Sequence, residues 1–133
     1  MDTIQAGILR IKLKNYIRQL KKRRALAEIY YERLSKISEI ELFKLKKNQF
    51  SCYHQFVIRT NNRDSLQKFL KKNGIDTMIH YPYMLNELSF FKYKKKLINC
   101  NNLGKKILSL PISEEHKIKE IEYICKKIKL FFG

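Results

Sequence analysis

Apolar residues recur at helical spacing through the first third of the chain. Ile4, Ile8 and Ile11 form one series, and Leu9, Leu13, Tyr16 and Leu20 form a second. Ala27, Tyr30, Leu34 and Ile37 continue the stripe. The spacing predicts one long helix over residues 2–36, opened by Asp2 and Gln5 at capping-box distance. The first half is apolar on more than one face, so it is expected to be buried on two sides. A chain of 133 residues can hardly cover both sides. The pattern therefore predicts a neighbour, either another domain or another subunit. Gly7 costs that stretch about 1 kcal/mol of helix propensity and would permit close approach of another backbone.

The period then changes. Residues 40–46 alternate and predict a strand, and Lys47, Asn48 and Gln49 a turn. Residues 52–59 predict the clearest strand, with Cys52, His54, Phe56 and Ile58 on one face. His54 reads as a hydrogen-bonded core histidine, since no second ligand lies at useful spacing for a metal. A short helix follows, with Asp64 as its N-terminal acceptor and Leu66, Phe69 and Leu70 as its apolar face. Lys71 and Lys72 suit its last turn, and Gly74 its stop. Residues 75–81 alternate again. Ile75, Thr77, Ile79 and Tyr81 fall on one face; Asp76, Met78 and His80 fall on the other. Pro82 ends the run and pushes Tyr81 towards extended backbone. His80 and Tyr81 thus stand at a strand end, beside a proline corner.

Residues 84–96 are less regular, with Leu88, Phe90, Phe91 and Tyr93 expected to pack a short helix or loop onto the domain. A helix over 99–106 carries Leu103, and 108–112 reads as extended. Ser113 is expected to cap a final helix with Glu114 and Glu115 in its first turn. Ile118, Ile121, Cys125 and Ile128 are its buried stripe. The fold class is α/β (α+β), a single domain over residues 1–133. A small mixed sheet of three to four strands, flanking helices and a long N-terminal helix are expected.

Composition narrows the function classes. A hydrophobic fraction of 44% argues against disorder. No apolar run is long enough for a bilayer, and residues 1–5 lack the start of a signal peptide. Cys52, Cys100 and Cys125 fit neither a disulfide framework nor a metal knuckle, which points to reduced thiols in the cytoplasm. The net charge of +17 has two readings, a polyanion-binding module or a lysine-rich chain with solvated faces. The densest cluster, Lys21-Lys22-Arg23-Arg24, lies inside the helical pattern. The chain lacks the glycine-and-aromatic signature of an RNA-binding sheet and any clear recognition helix, so nucleic acid is not an expected partner. Gly7, Gly74, Gly104 and Gly133 are isolated, which excludes a glycine-rich phosphate loop. No histidine pair for zinc and no nucleophilic triad is present. An enzyme active on its own is not expected.

Five blocks, in order, carry a resemblance. Asp2-Thr3-Ile4-Gln5-Ala6 opens the long helix with Leu9-Arg10-Ile11-Lys12-Leu13, and Tyr53-His54-Gln55-Phe56-Val57-Ile58-Arg59 follows. Arg63-Asp64 with Leu66 and Leu70 comes next, then Gly74-Ile75 leading to Ile79-His80-Tyr81-Pro82. Ile107-Leu108-Ser109-Leu110-Pro111-Ile112 is the last. The set resembles the C-terminal part of the DegT/DnrJ/EryC1/StrS family of pyridoxal-phosphate-dependent sugar-nucleotide aminotransferases. The resemblance implies the small C-terminal domain of a fold-type I aminotransferase without the large domain that carries the Schiff-base lysine. It implies a gene remnant or an expressed piece, inactive alone. Pyridoxal phosphate is the cofactor of the full-length family; this chain alone is expected to bind none, and no residue is assigned as catalytic. The long helix is implied to build a homodimer or to dock on a separate large domain. The His-Tyr-Pro turn is implied to lie near the sugar nucleotide, which assigns substrate binding to His80 and Tyr81. The chain departs from the family at Met84-Leu85-Asn86, where many members have Pro-Leu-His. It also departs at Ile98 and Asn101, where Pro and Glu are usual. These changes suit a divergent specificity as well as a fragmentary gene.

Overall fold

The computed structural model describes residues 2–90 and 97–133. Phe91, Tyr93 and the basic residues between 92 and 96 lie outside them. The long helix α1 spans Thr3–Leu34, close to its predicted range, and the Gln5 side chain accepts from the Asp2 N–H at 3.3 Å. Its buried residues are Leu26, Ala27, Tyr30 and Leu34, all in the second half. The leading half is bare: Ile4 is 72% exposed, Ile11 66% and Leu13 67%. At 100° per residue, Ile4, Ile8 and Ile11 lie opposite Leu9, Leu13 and Tyr16. Lys12 separates the two stripes on one side, and Arg10 and Lys14 on the other. Nothing lies within 4 Å of where a Cβ on Gly7 would stand.

Three strands form one sheet in the order β1 (Glu41–Leu42), β2 (Phe56–Arg59), β3 (Ile107–Leu110). Both pairings are antiparallel, so the sheet is not the mixed one expected. Phe56 faces Leu110 and Ile58 faces Leu108, and all four are buried under the helices. Alternation turns Val57 and Ser109 to the opposite face. β2 starts four residues later than predicted because Tyr53 takes a φ of +46°, which breaks the extended run. That break corrects the reading of His54. The residue precedes the strand and is exposed, so it is not a core histidine. β1 is cut short where the Phe43 carbonyl accepts from the Tyr31 hydroxyl at 2.5 Å instead of from a strand.

Helix α2 (Arg63–Lys72) follows β2. Asn62 is its N-cap; Asp64 lies inside the first turn and receives the Arg63 Nε–H at 2.7 Å, which corrects the predicted cap. The stop is as predicted. Gly74, at φ +74°, donates to the Lys71 carbonyl at 3.1 Å, and the Ile75 N–H reaches the Leu70 carbonyl at 3.0 Å. This double closure needs a left-handed residue at Gly74 and buries Ile75 beside Leu70. A single 3₁₀ turn (Leu85–Glu87) and α3 (Ile98–Gly104) lead to β3. Leu88 and Phe90, expected to pack inward, are 38% and 86% exposed.

Helix α4 (Ile118–Phe132) closes the chain. Ser113 does not cap it. Its Oγ accepts the Glu115 N–H at 3.2 Å and meets His116 Nδ1 at 2.8 Å, which closes a turn before the helix begins. Glu114 instead pairs with Arg23 of α1. Its carboxyl is held below the ordinary range by its own backbone N–H first and by Arg23 next. Ile121, Ile124, Cys125 and Ile128 face the core, as do Leu66 and Leu70 of α2. Tyr30 sits at the centre. It stacks on Phe56 with centroids 4.6 Å apart and donates to the Pro111 carbonyl at 2.7 Å. Burial keeps its phenol protonated. Among the described residues, no helix is long and apolar enough to cross a membrane.

Candidate functional site

The segment after Gly74 was expected to be a fourth strand. It forms one bridge pair, Met78 with Ser109, at the outer edge of β3. Met78 donates to the Ser109 carbonyl at 3.1 Å and Ser109 donates back at 2.8 Å. The next hydrogen-bonded position towards the C-terminus of β3 is Pro111, which has no N–H, so the ladder cannot extend that way. Gln67 of α2 ties the segment down from the other side, donating to the Thr77 carbonyl at 3.2 Å.

One bridge leaves a groove of about 310 Å³ between this segment and the start of β2. Asp76, Met78 and His80, predicted to share a face, all line it, and so does Thr77, predicted on the other face. His54 lines it from the β2 side, and Ser109 and Pro111 from β3. His80 is half-buried, and its Nδ1 lies 3.0 Å from Ser109 Oγ. Ser109 is buried, at 7% exposure. Tyr81 is not part of the lining. It is 74% exposed, with its ring edge-on to His80 at 6.1 Å between centroids. The two residues assigned together from sequence are therefore separated, His80 on the wall and Tyr81 on the outer surface. Sequence reasoning missed His54, Asp76 and Ser109 as groove residues. For Asp76 the signal was present in the alternation with Met78 and His80.

The groove offers hydrogen-bonding groups and apolar surface, a combination suited to binding a polar ring compound. Pyridoxal phosphate needs a lysine amine and a set of phosphate donors. No lysine or arginine lines the groove among the described residues. Those residues do not fit that cofactor. No group of three or more histidine, cysteine or acidic side chains is placed to hold a metal among the described residues.

A profile of the DegT/DnrJ/EryC1/StrS aminotransferase family matches residues 1–129, and the chain belongs to that family. It is 33% identical to a pleiotropic regulatory protein of Geobacillus stearothermophilus, over 99% of this chain and 37% of the relative. It is 32% identical to the UDP-2-acetamido-2-deoxy-3-oxo-D-glucuronate aminotransferase of Pseudomonas aeruginosa, over 94% of this chain and 35% of that protein. Its fold superposes on a family aminotransferase from Brucella abortus with a TM-score of 0.92 at 28% identity, over 100% of this chain and 36% of that one. The same TM-score, 0.92, is found at 26% identity with DesV of S. venezuelae, solved with a ketimine intermediate, over 100% of this chain and 37% of that one. The chain thus spans about a third of the length of the relatives it matches.

Proposed function

We propose that this chain is the small C-terminal domain of a pyridoxal-phosphate-dependent sugar-nucleotide aminotransferase, and that the groove beside His80 is its wall towards the sugar nucleotide. The observation that carries the reading is the family match over residues 1–129, joined to an edge groove that His80 lines. The complete enzyme transfers an amino group from glutamate to a keto sugar nucleotide; pyridoxal phosphate supplies the electron sink for that exchange. This chain's part is to bind and orient. His80 offers a ring nitrogen from the wall and Tyr81 a phenol from the rim, and both can hydrogen-bond sugar or diphosphate oxygens. The bare leading half of α1 lies against a large domain or a second subunit. Three free thiols agree with work in the cytoplasm. Alone, the chain binds no pyridoxal phosphate and is inactive.

Isotope-labelled chain titrated with UDP-glucose and dTDP-glucose tests the reading. Shifts confined to residues 54–55, 76–81 and 109–112, and weakened at least fivefold in affinity by His80→Ala, are expected. Shifts spread over the lysine-rich helices, or none, would overturn it. Purified chain mixed with pyridoxal phosphate is expected to show no stable cofactor absorbance after dialysis; a retained band overturns the assignment of the cofactor site to other residues.

A further inference from the structure

We propose that Ser109 is a positioning residue that holds the neutral His80 imidazole as its Nε2–H tautomer, so that the groove presents a donor and takes an accepting oxygen of its ligand. The ligand's identity rests on the sugar-nucleotide reading above; the role of Ser109 does not.

The argument is one of hydrogen-bond supply. Ser109 is buried, and both of its backbone groups are spent on Met78. Its hydroxyl has one neighbour in hydrogen-bond reach among the described residues, His80 Nδ1 at 3.0 Å. His80 Nδ1 is the one acceptor in reach of the hydroxyl among the described residues, so the hydroxyl donates into Nδ1. A ring nitrogen that accepts carries no proton in a neutral imidazole, which places the proton on Nε2. Nε2 makes no hydrogen bond among the described residues, and the ring lines the groove. The geometry is held from three sides. Met78 and Ser109 lock the two segments in register, Gln67 holds Thr77, and Tyr30 holds the carbonyl of Pro111. An accepting oxygen can come from a hexose hydroxyl or from a phosphoryl group; both accept from Nε2–H.

The test is long-range ¹H–¹⁵N correlation on histidine-labelled chain, at a pH where the rings are neutral. His54 is the internal reference, since its ring makes no hydrogen bond among the described residues. The ratio of Nε2–H to Nδ1–H is expected to be about fivefold higher at His80 than at His54, the ratio one ordinary hydrogen bond sets. Ser109→Ala should bring His80 to the His54 value, and Ser109→Thr, which keeps the hydroxyl, should retain the excess. Nδ1–H as the main form of His80, or a ratio unmoved by Ser109→Ala, overturns the proposal. Adding UDP-glucose or inorganic pyrophosphate then identifies the oxygen. Movement of His80 Nε2 with both marks a phosphoryl acceptor, and with UDP-glucose alone a hydroxyl. Movement with neither overturns the sugar-nucleotide reading, while the tautomer ratio still decides Ser109.

Discussion

Cys125 shows how one buried residue carries a pH dependence. The residue is 5% exposed, on the core face of α4. Burial pushes its pKa up from 9.0 to about 12; the Arg33 guanidinium opposes this and the Glu122 carboxylate adds to it. The unfolded chain therefore releases this proton at lower pH than the folded one. Stability is intact below about pH 9 and is lost as pH rises from there towards 12, about 1.4 kcal/mol by pH 10. Urea denaturation at pH 7, 9 and 10 checks this. Cys125→Ala is expected to lower stability at every pH yet flatten that fall. Burial and the Tyr53 phenol push Tyr31 the same way, up to about 12, but Tyr31 is present in both proteins and cancels in the comparison. Cys125 was legible as core from its spacing to Ile121 and Ile128; Ile118, read into the same stripe, is 57% exposed at the first position of α4. The exposure of His54 was not, because alternation was carried back past Tyr53. The left-handed φ there follows from no local sequence preference of tyrosine.

Among the elements, α1 divides into two parts with different energetics. From Leu26 to Leu34 it is the backbone of the core; from Thr3 to about Tyr16 it touches little of its own chain. Burying a large apolar side chain is worth about 1.5–3 kcal/mol, and the leading half forgoes that gain in this chain. Deleting residues 1–16 is therefore expected to change unfolding free energy by less than about 1 kcal/mol, whereas Leu26→Ala costs about 2–5 kcal/mol. Chemical denaturation of the three proteins measures both. A deletion as costly as the core substitution would mean that the leading half is held by contacts within the chain. The same periodicity argument located α2 and α4, and Gly74 marked the end of α2 through its left-handed φ. The start of α4 was misplaced because Ser113 can serve a turn or a helix equally well, and its bonds to Glu115 and His116 chose the turn.

At the scale of the whole molecule, apolar surface and positive charge share α1. Ile4 at 72% and Ile17 at 60% exposure lie among Arg10, Lys12, Lys14 and Arg18. Opposed apolar stripes suit a helix clasped between two bodies better than one laid on a flat membrane surface, which needs a single apolar face. In a purified sample the available cover is another copy of the chain. Sedimentation velocity is expected to show a mass above the 16.1 kDa monomer, and Ile11→Glu with Leu13→Glu to restore it. Wild-type chain that stays monomeric at about 100 μM would set aside a second subunit as the cover, since a stable interface buries at least about 1,000 Å².

Hydrophobic period by itself determined the order of helices, the core stripes of α1, α2 and α4, and the excess apolar surface at the start of α1. These are local properties, written in spacings of three, four or two residues. Only the tertiary structure decided that the sheet is antiparallel, that the segment after Gly74 keeps one bridge, and that Ser109 meets His80 from 29 residues away. Those outcomes depend on which backbone N–H groups find partners across the sheet. The missing N–H of Pro111 and the hydroxyl of a distant serine are settled by pairing, which no single stretch of sequence contains.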